Sequence, residues 1–578
     1  MKLLALSSLL ALPCLLIAEN ESNAAPRKKL IEYGWDAPDT QWFRQNLKQM
    51  ESSPFNGITL QITGQYPDGK PRPTIQTFVK EKWESSWFAS CIEDLKSARS
   101  TRLTDNFIYL SANPGVDWFD DEGWANVVDH WRILARVARE GGCKGFVFDP
   151  EDYSGDKYGQ FMYRKSARQQ EADNAFAESD RHTFAEVNAK ARERGQQVMR
   201  AVAAEFPDII ILCLYLNGFN AGVAGQPDPL AGLEKTPFGL LPAFLDGWLD
   251  EMPPSATIVD GCESGYLYNS TSEYLESYLA MKGVCQWLVS PKNRAKYRAQ
   301  VQAAFPIYLN AYTNPKESPF YIDPKGGTAA SRLRTNVNEA LRVTDEYVWV
   351  YCEKYQWWPF SGTEPMFEAM EAKPWSEVFP GSDEALRFAS AKANRPNTFA
   401  LELIQSGKLQ NLALNGNFFN RDAEHASWKS AADWGSSVLK GWSTWQHQDS
   451  KGVFSWDRER GASEKGSARL AGIKEGCIIQ HLPVESGETY AIQAKRILQG
   501  KGDAVIRIRW KDRDGKWAAE NEDRFISAVG PRDEWAGFSQ IVKVPAGATS
   551  MVILFSAHQQ ETPEDVAWFD DAGIYKID

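Results

Sequence analysis

The sequence has 578 residues, more than one typical domain holds, and this predicts two or three folding units. A hydrophobic fraction of 43% and a charged fraction of 24% exclude a fibrous or disordered chain. The formal net charge of −12 argues against nucleic acid or an anionic membrane as a partner, because such surfaces need clustered lysine and arginine. The net charge does not exclude a local arginine pocket that binds an acidic sugar.

The N-terminus has the pattern of a secretory signal peptide over residues 1–18. A single lysine precedes the apolar run LLALSSLLALPCLLIA, which ends at the small residue Ala18. No later segment offers the ~20 apolar residues of a transmembrane helix. Pro13 before Cys14 disfavours lipid attachment at that cysteine. We expect a secreted, periplasmic or cell-surface protein without a transmembrane segment, and the sequence does not predict its oligomeric state.

Between residue 30 and about residue 355, short β-rich apolar runs alternate with longer helical stretches. Eight such runs begin at or near Leu30, Gly57, Phe107, Lys144, Ile209, Ala256, Phe305 and Tyr347. This α/β rhythm predicts a (β/α)8 TIM barrel over residues 26–400, with a long insertion after strand four that overhangs its mouth. An open doubly wound sheet alternates in the same way, but its first turn commonly contains G-x-G-x-x-G, and here that turn is WDAPDT.

After about residue 405 the pattern changes to strands of about six residues separated by Gly, Asp and Ser turns. Residues 408–578 are predicted to form an all-β jelly-roll sandwich. Its first strand, Asn415 to Phe419, and its last, Trp568 to Tyr575, resemble the corresponding strands of jelly-roll carbohydrate-binding modules. The resemblance implies a structural calcium site to which Asp571 contributes. The alternative is an accessory sandwich with only a structural role.

If the barrel forms, its active-site residues must lie at the carboxyl ends of the strands, where the βα loops meet. The acids at those ends are the candidate catalytic residues: Asp149, Glu151, Asp260, Glu263 and Glu353. The candidate substrate-binding residues there are Asp36, Gln61, Tyr215, Asn217, Tyr266, Asn310, Tyr312, Trp357 and Trp358.

Histidine is scarce in this region, which argues against a Ser-His-Asp or multi-histidine metal mechanism. The chain has six histidines, and the two in the barrel region, His130 and His182, lie away from strand ends. Seven cysteines remain after the signal peptide, an odd number without zinc spacing, so neither a disulfide framework nor a zinc site is expected. The carboxylates are therefore the remaining candidates for catalytic groups, and paired carboxylates perform glycoside hydrolysis without a cofactor.

The segment FVFDPEDY is the most informative. Residues of a strand alternate between its two faces, so Asp149 and Glu151 are expected on the same side, toward the mouth. One of them, beside a charged neighbour, would have a raised pKa and act as the acid. The alternative is that a single acid here only caps the next helix or hydrogen-bonds the loop.

Three segments, Glu32 to Pro38 (EYGWDAP), Phe148 to Glu151 (FDPE) and Tyr347 to Trp358 (YVWVYCEKYQWW), resemble exported TIM-barrel proteins. The barrel segments resemble the sialidases of glycoside hydrolase family 181, which remove terminal sialic acid from mucin O-glycans. That resemblance implies an oligosaccharide or glycoprotein glycan as substrate, a cation such as Arg164 for the sialic acid carboxylate, and a tyrosine nucleophile, Tyr215 or Tyr266, close to a glutamate.

Three alternatives stay open. The neighbouring acids of strand four also suit a substrate-assisted N-acetylhexosaminidase, in which the acetamido group of the substrate replaces the nucleophile. Asp149 on strand four with Asp260 on strand six fits an α-galactosidase-like barrel. A non-catalytic glycan-binding protein is the competing class.

Overall fold

The computed structural model describes residues 28–151, 159–163, 178–224, 226, 228–358, 371–393, 409–418, 439, 441–519, 522–528 and 530–576. The predicted signal peptide, Arg164 and the predicted boundary at residues 400–408 lie outside the described residues. Most of the predicted insertion after strand four also lies outside them.

The first part of the described chain mixes strands and helices. Its strands are β1 (Lys29–Gly34), β2 (Gly57–Leu60), β3 (Thr63–Gln65), β4 (Pro71–Pro73), β5 (Gln76–Phe78), β6 (Phe107–Pro114), β7 (Gly145–Asp149), β8 (Ile210–Cys213), β9 (Thr257–Asp260), β10 (Val301–Ala303), β11 (Phe305–Tyr308) and β12 (Tyr347–Cys352). Its α-helices are α1 (Thr40–Met50), α2 (Ala89–Ser97), α3 (Asp121–Gly141), α4 (Phe184–Glu205), α5 (Ala221–Ala224), α6 (Pro229–Leu233), α7 (Leu241–Glu251), α8 (Thr271–Lys282), α9 (Arg294–Gln300), α10 (Ala329–Val343), α11 (Trp375–Val378) and α12 (Ser382–Ala393).

The main sheet is parallel and nearly closed. Its strands follow the order β10-β9-β8-β7-β6-β2-β1-β12-β11, with β5 paired to β6 at one side. Only Ala304 separates β10 from β11, and its amide donates to the carbonyl of Asp260 at 2.8 Å. The predicted seventh strand, which begins at Phe305, corresponds to β11 and pairs with β12, and the short strand β10 before it was not predicted and pairs with β9. The other predicted strands lie in the same nearly closed parallel sheet.

Local signals in the sequence set the helix ends. The Asp39 side chain accepts the amide of Trp42 at the start of α1, and Thr183 with Glu186 forms a capping box at the start of α4. Helix α3 ends at Gly142, whose left-handed backbone (φ 78°) is the usual conformation after a helix. These caps fix where each helix begins or ends relative to the strand ends.

Aromatic side chains fill the interior of the barrel. Alternate residues of β12, Tyr347, Trp349 and Tyr351, point to one side of the strand, and the Tyr33 ring lies 5.5 Å from the rings of both Trp349 and Tyr351. The Trp349 indole also donates to the carbonyl of Gly261 at 2.8 Å. The interior is therefore a packed aromatic core, and the open space lies above it.

The second part of the described chain is all-β, as predicted. Its strands are β13 (Ser443–Gln446), β14 (Val453–Asp457), β15 (Ser467–Ala471), β16 (Glu475–Pro483), β17 (Thr489–Gln499), β18 (Asp503–Lys511), β19 (Trp517–Ala518), β20 (Arg524–Ser527), β21 (Ala536–Lys543), β22 (Ser550–His558) and β23 (Val566–Lys576). One antiparallel sheet has the order β13-β16-β22-β18-β19, with β20 paired to β18, and the other has the order β14-β15-β23-β17-β21. Apolar residues of both sheets form one shared core cluster.

The sandwich packs on the barrel beside α8 and α9. Trp287 lies under Gly530, where an added Cβ would approach the indole to 2.8 Å. Arg294 stacks on the same indole, 4.1 Å from its centroid, and pairs with Glu534 at 2.8 Å. Ala491 and Ile541 of the five-stranded sheet belong to the core cluster of the barrel. That sheet is thus the one that contacts the barrel.

The seven cysteines of the described chain are buried and unpaired: Cys91, Cys143, Cys213, Cys262, Cys285, Cys352 and Cys477. They behave as small apolar side chains. None of the described helices is both long and apolar enough to span a bilayer.

Candidate active site

A cavity of about 490 Å³ opens at the carboxyl ends of the barrel strands. This volume lies in the range of pockets that hold small ligands. Its described lining residues are Tyr33, Trp35, Glu151, Leu214, Tyr215, Phe219, Phe238, Glu263, Ser264, Tyr266, Tyr308, Phe320, Tyr351 and Glu353. The lining brings together three of the five predicted catalytic acids and two of the predicted binding tyrosines.

The first cavity acid, Glu151, follows strand β7. Asp149, its last residue, is fully buried and accepts a hydrogen bond from Tyr109 Oη at 3.0 Å and from the amide of Glu151 at 2.9 Å. The Asn113 side chain donates to the carbonyl of Glu151 at 2.9 Å. Asp149 therefore shapes the turn, and the Glu151 side chain reaches the cavity.

Strand β9 supplies the second acid. Glu263 follows β9 by three residues, after Cys262, whose backbone is left-handed (φ 52°). Gly261 passes so close to β8 that an added Cβ would lie 2.5 Å from the Cys213 carbonyl oxygen, so only glycine fits. Tyr266 Oη donates to Glu263 Oε1 at 2.8 Å. This tight turn therefore presents a hydrogen-bonded tyrosine and glutamate to the cavity.

The environment of Glu263 changes its acidity. Burial, and next the negative charges of Asp149 and Glu151, raises the pKa of its carboxyl group to about 8, against the opposing hydrogen bond from Tyr266. Glu263 is therefore protonated at neutral pH. A protonated carboxyl group close to two other carboxyl groups is the arrangement of an acid and base pair.

Strand β12 supplies the third acid. Tyr308 Oη donates to Glu353 Oε2, and the amide of Glu353 donates to Asn310 Oδ1 at 3.1 Å. The Glu353 carboxylate is thus fixed at the wall of the cavity. It leaves one oxygen to accept hydrogen bonds from a ligand hydroxyl group.

Stacked tyrosine rings connect Glu263 with Glu353. The Tyr351 ring is stacked on Tyr266 at 5.5 Å and on Tyr308 at 5.2 Å. Burial, and next the charge of Glu353, raises the pKa of Tyr351, so its phenol stays neutral. On another wall, Tyr215 contacts Phe219 and Phe238 at 5.2 and 4.8 Å. Flat rings beside carboxyl groups suit the apolar faces and hydroxyl groups of a sugar.

Besides Asp149, two further acids predicted to be catalytic or substrate-binding, Asp260 and Asp36, lie in structural positions outside the cavity lining. Asp260 is fully buried, and its carboxylate accepts the amides of Leu216, Gly218 and Cys262 at 3.1, 2.7 and 3.3 Å. It holds the turn after β8 and does not line the cavity.

Asp36 forms a buried carboxyl pair with Glu32 and accepts the amide of Trp357 at 2.7 Å. Burial raises the pKa of both acids, to about 6 for Asp36, and the proximity of Asp36 raises that of Glu32 further. This pair ties the end of β1 to the loop after β12 and lies outside the cavity lining.

The other predicted binding residues support the framework. Gln61 donates to the carbonyl of Ala37 at 3.0 Å, Asn217 is buried against Cys285, and Tyr312 accepts from Asn336 at 2.9 Å. Neither tryptophan lines the cavity, since the Trp357 indole donates to Cys352 Sγ and Trp358 packs on Phe55. Asn310 acts through Glu353, and Arg164 lies outside the described residues.

Sequence reasoning missed most of the aromatic lining: Tyr33, Trp35, Phe219, Phe238, Tyr308, Phe320 and Tyr351. The sequence pattern contained a signal for some of these aromatic residues. Tyr33 and Trp35 occur in the EYGWD motif, and Tyr351 alternates with Trp349 and Tyr347 along one strand. A row of rings at every second position predicts an aromatic face directed to the barrel interior.

The contacts of Asp571 do not fit the predicted calcium site. Its carboxylate pairs with Lys495 at 2.8 Å and accepts from Ser463, so a lysine cation already neutralises it. Among the described residues, no group of three or more His, Cys, Asp or Glu side chains could hold a metal ion. The calcium site stays a prediction without a ligand set in the described part of the chain.

Comparison with known proteins gives no family assignment. No family model matches the sequence, and no curated protein matches it. Among solved structures, the chain is similar to the enzymatically active domain of tailspike protein 4 of bacteriophage CBA120, with 13% identity over 29% of this chain and 21% of that chain (TM-score 0.23).

It is also similar to two xylanase-derived structures. One is the N-terminal CBM22-1 and GH10 modules of Clostridium thermocellum xylanase 10B complexed with xylohexaose, with 13% identity over 24% of this chain and 26% of that chain (TM-score 0.20). The other is the CBM22-1 xylan-binding domain of a Paenibacillus barcinonensis protein, with 15% identity over 25% of this chain and 90% of that chain (TM-score 0.20). The similarity to these structures therefore covers only 24–29% of this chain.

Proposed function

We propose that the barrel is an exo-acting glycoside hydrolase. The observation that carries this proposal is the convergence of Glu151, Glu263 and Glu353 from three strands on one aromatic cavity of about 490 Å³. Buried carboxyl groups are costly to place together, and a site for sugar chemistry gives that arrangement a use. The proposed setting is outside the cytoplasm, on an oligosaccharide or a glycoprotein glycan.

In this mechanism Glu263 is the general acid. Its pKa of about 8 keeps the carboxyl group protonated at neutral pH, ready to donate a proton to the glycosidic oxygen as the bond to the anomeric carbon breaks. The Glu151 carboxylate either attacks the anomeric carbon or takes a proton from the attacking water. Glu353, fixed by Tyr308, accepts hydrogen bonds from sugar hydroxyl groups.

A sialidase acting on mucin-type O-glycans is the second candidate, and one contact favours it. The Tyr266 phenol donates to Glu263 at 2.8 Å, which is the tyrosine and glutamate pair that a sialidase uses as its nucleophile. This role uses the deprotonated form of Glu263, which would take the phenol proton as the oxygen attacks the anomeric carbon, while Glu151 would protonate the leaving group. The described lining holds three glutamates and no lysine or arginine, so the substrate carboxylate needs a cation such as Arg164.

The experiment is an incubation of the full chain with mixed mucin O-glycans, followed by mass spectrometry of released monosaccharides. The variants are Glu151→Gln, Glu263→Gln and Tyr266→Phe, and Glu384→Gln, at an exposed residue of α12, is the matched control. Release of a neutral sugar or an N-acetylhexosamine that needs Glu151 and Glu263 but not Tyr266 supports the general-acid proposal. Release of sialic acid that also needs Tyr266 supports the sialidase.

Chromogenic β-N-acetylhexosaminides and α-galactosides separate the neutral alternatives in the same assay. If the parent releases no sugar from any substrate but retains the glycans, the glycosidase proposal is wrong and the chain is a binding protein.

A further inference from the structure

The six-stranded sheet of the sandwich has an outer face that the fold leaves open. The cross-strand register defines it: Ile479, Leu554, Arg507 and Phe525 lie directly opposite one another on four adjacent strands. Directly paired residues share a face, so this row points away from the core-facing row that contains Phe555. The barrel contacts the other sheet, so the outer face is turned to solvent.

Exposed aromatic rings stand at both edges of this face. Trp445 on β13 is 47% exposed, and across the sheet Trp517 on β19 and Phe525 on β20 are 43% and 64% exposed. Four strand spacings of about 4.8 Å separate β13 from β20, or roughly 19 Å. The face is therefore wide enough for an extended oligomer, with a ring at each end.

Cations lie between these rings. Arg507 and Lys511 on β18 are stacked on Phe525 and Trp517, at 4.9 and 5.0 Å from the ring centroids. Among the described ion pairs neither has an acidic partner, in contrast to Arg509, which pairs with Asp523 at 2.7 Å. The buried Nε of Arg507 also has no hydrogen-bond acceptor among the described atoms. No described residue accepts a hydrogen bond from its guanidinium group.

Two histidines lie on the same face, near these cations. Burial lowers the pKa of His558, and the charge of Arg507 lowers it further, whereas the charges of Glu475 and Asp503 oppose this shift. Burial and then Lys511 lower the pKa of His481 in the same way. Beneath them Val552 and Leu554 form an apolar floor, 1% and 7% exposed. The cations thus stand on an apolar surface, where a charge pair gains more than it does in open water.

We propose that this outer face binds an acidic polysaccharide. Its carboxylate or sulfate groups pair with Arg507 and Lys511, and the apolar faces of its sugars stack on Trp445 and Trp517. The net charge of the whole chain is −12, so the cations Arg507 and Lys511 are a local feature and not part of a generally basic surface. The site is independent of the barrel cavity and of the function proposed for it.

The test is titration calorimetry of the full chain at low and physiological salt. The probes are a hexamer of galacturonic acid, a sulfated galactose hexamer and the neutral galactose hexamer. We expect an acidic hexamer to bind at least about tenfold more tightly than the neutral one. The two acidic probes separate a carboxylate ligand from a sulfate ligand.

The double variant Arg507→Gln/Lys511→Gln is expected to weaken acidic binding at least about tenfold. The matched control Lys48→Gln/Lys543→Gln removes the same charge from exposed positions elsewhere and should retain binding. The variant Trp517→Ala, at an exposed ring, should weaken binding without removing a cation. Thermal unfolding of each variant checks the fold.

Three results would overturn the proposal. One is equal affinity for acidic and neutral hexamers. Another is an equal loss in the control pair, which would indicate general charge attraction. The last is tighter binding of a single-stranded oligonucleotide than of either acidic hexamer, which would make the face a nucleic-acid site.

Discussion

The barrel cavity and the outer face of the sandwich use the same aromatic side chains with opposite charge. In the cavity, tyrosine rings stand beside Glu151, Glu263 and Glu353, whereas on the sheet the exposed rings stand beside Arg507 and Lys511. Burial in the cavity raises the pKa of Glu263, whereas Arg507 and Lys511 lie on the face of an open sheet. An enclosed site shifts the pKa of a group and so suits proton transfer. An open face presents charged groups to an oppositely charged ligand.

The largest expected effect comes from replacing Glu263, the proposed general acid of the cavity. Glu263→Gln should lower kcat/KM about 10²- to 10⁴-fold on a substrate with a poor leaving group, because a general acid contributes on that order. A 4-nitrophenyl glycoside, which needs little protonation, should lose far less. An equal loss on both substrates would contradict the role of Glu263 as acid, and Glu384→Gln serves as control.

The pH dependence of kcat/KM distinguishes the two mechanisms, because kcat/KM changes in opposite directions as the pH rises through about 8. If Glu263 is the acid, kcat/KM falls about tenfold per pH unit above about 8, because the deprotonated form cannot donate. If Glu263 is instead the base for Tyr266, kcat/KM rises through the same pH. Profiles of the parent and of Glu263→Gln decide this, since the limb at about 8 should vanish in the variant.

The Glu263→Gln variant should be more stable than the parent at neutral pH, although it is less active. The pKa of Glu263 rises from 4.5 to about 8 in the folded chain, so between these values the unfolded state releases a proton that the folded state keeps. Stability is therefore lost as pH rises across that window. Glu263→Gln should be more stable than the parent at pH 7, by on the order of 1–3 kcal/mol, and no more stable at pH 4. Denaturant unfolding at both pH values measures the difference.

The smallest expected effect concerns salt. Raising ionic strength from 0.01 to 0.15 M shortens the Debye length from about 30 to about 8 Å, so acidic hexamers should bind the outer face several-fold more weakly. Turnover of a neutral glycoside in the enclosed cavity should change little. Parallel titration and kinetics across this range compare the two regions, and an equal response of both would break the comparison.

The strand pattern was readable from sequence because buried parallel strands are short apolar runs between longer helical stretches. The positions of Glu151, Glu263 and Glu353 followed from the rule that barrel sites lie at strand ends. The same rule also selected Asp260 and Asp36, since all these acids end or follow a strand. Three backbone amides around Asp260 and the carboxyl pair of Asp36 with Glu32 separate the structural acids from the cavity acids.

The sequence by itself determined the order of elements, the strand ends and the set of acids that could serve, because periodicity and turns are local properties. Only the tertiary structure decided that Tyr266 contacts Glu263 and that rings from β1, β11 and β12 form one wall of the cavity. It alone placed Arg507 between exposed rings on an open sheet. These contacts depend on cross-strand register and on enclosure, which arise only when distant segments pack together.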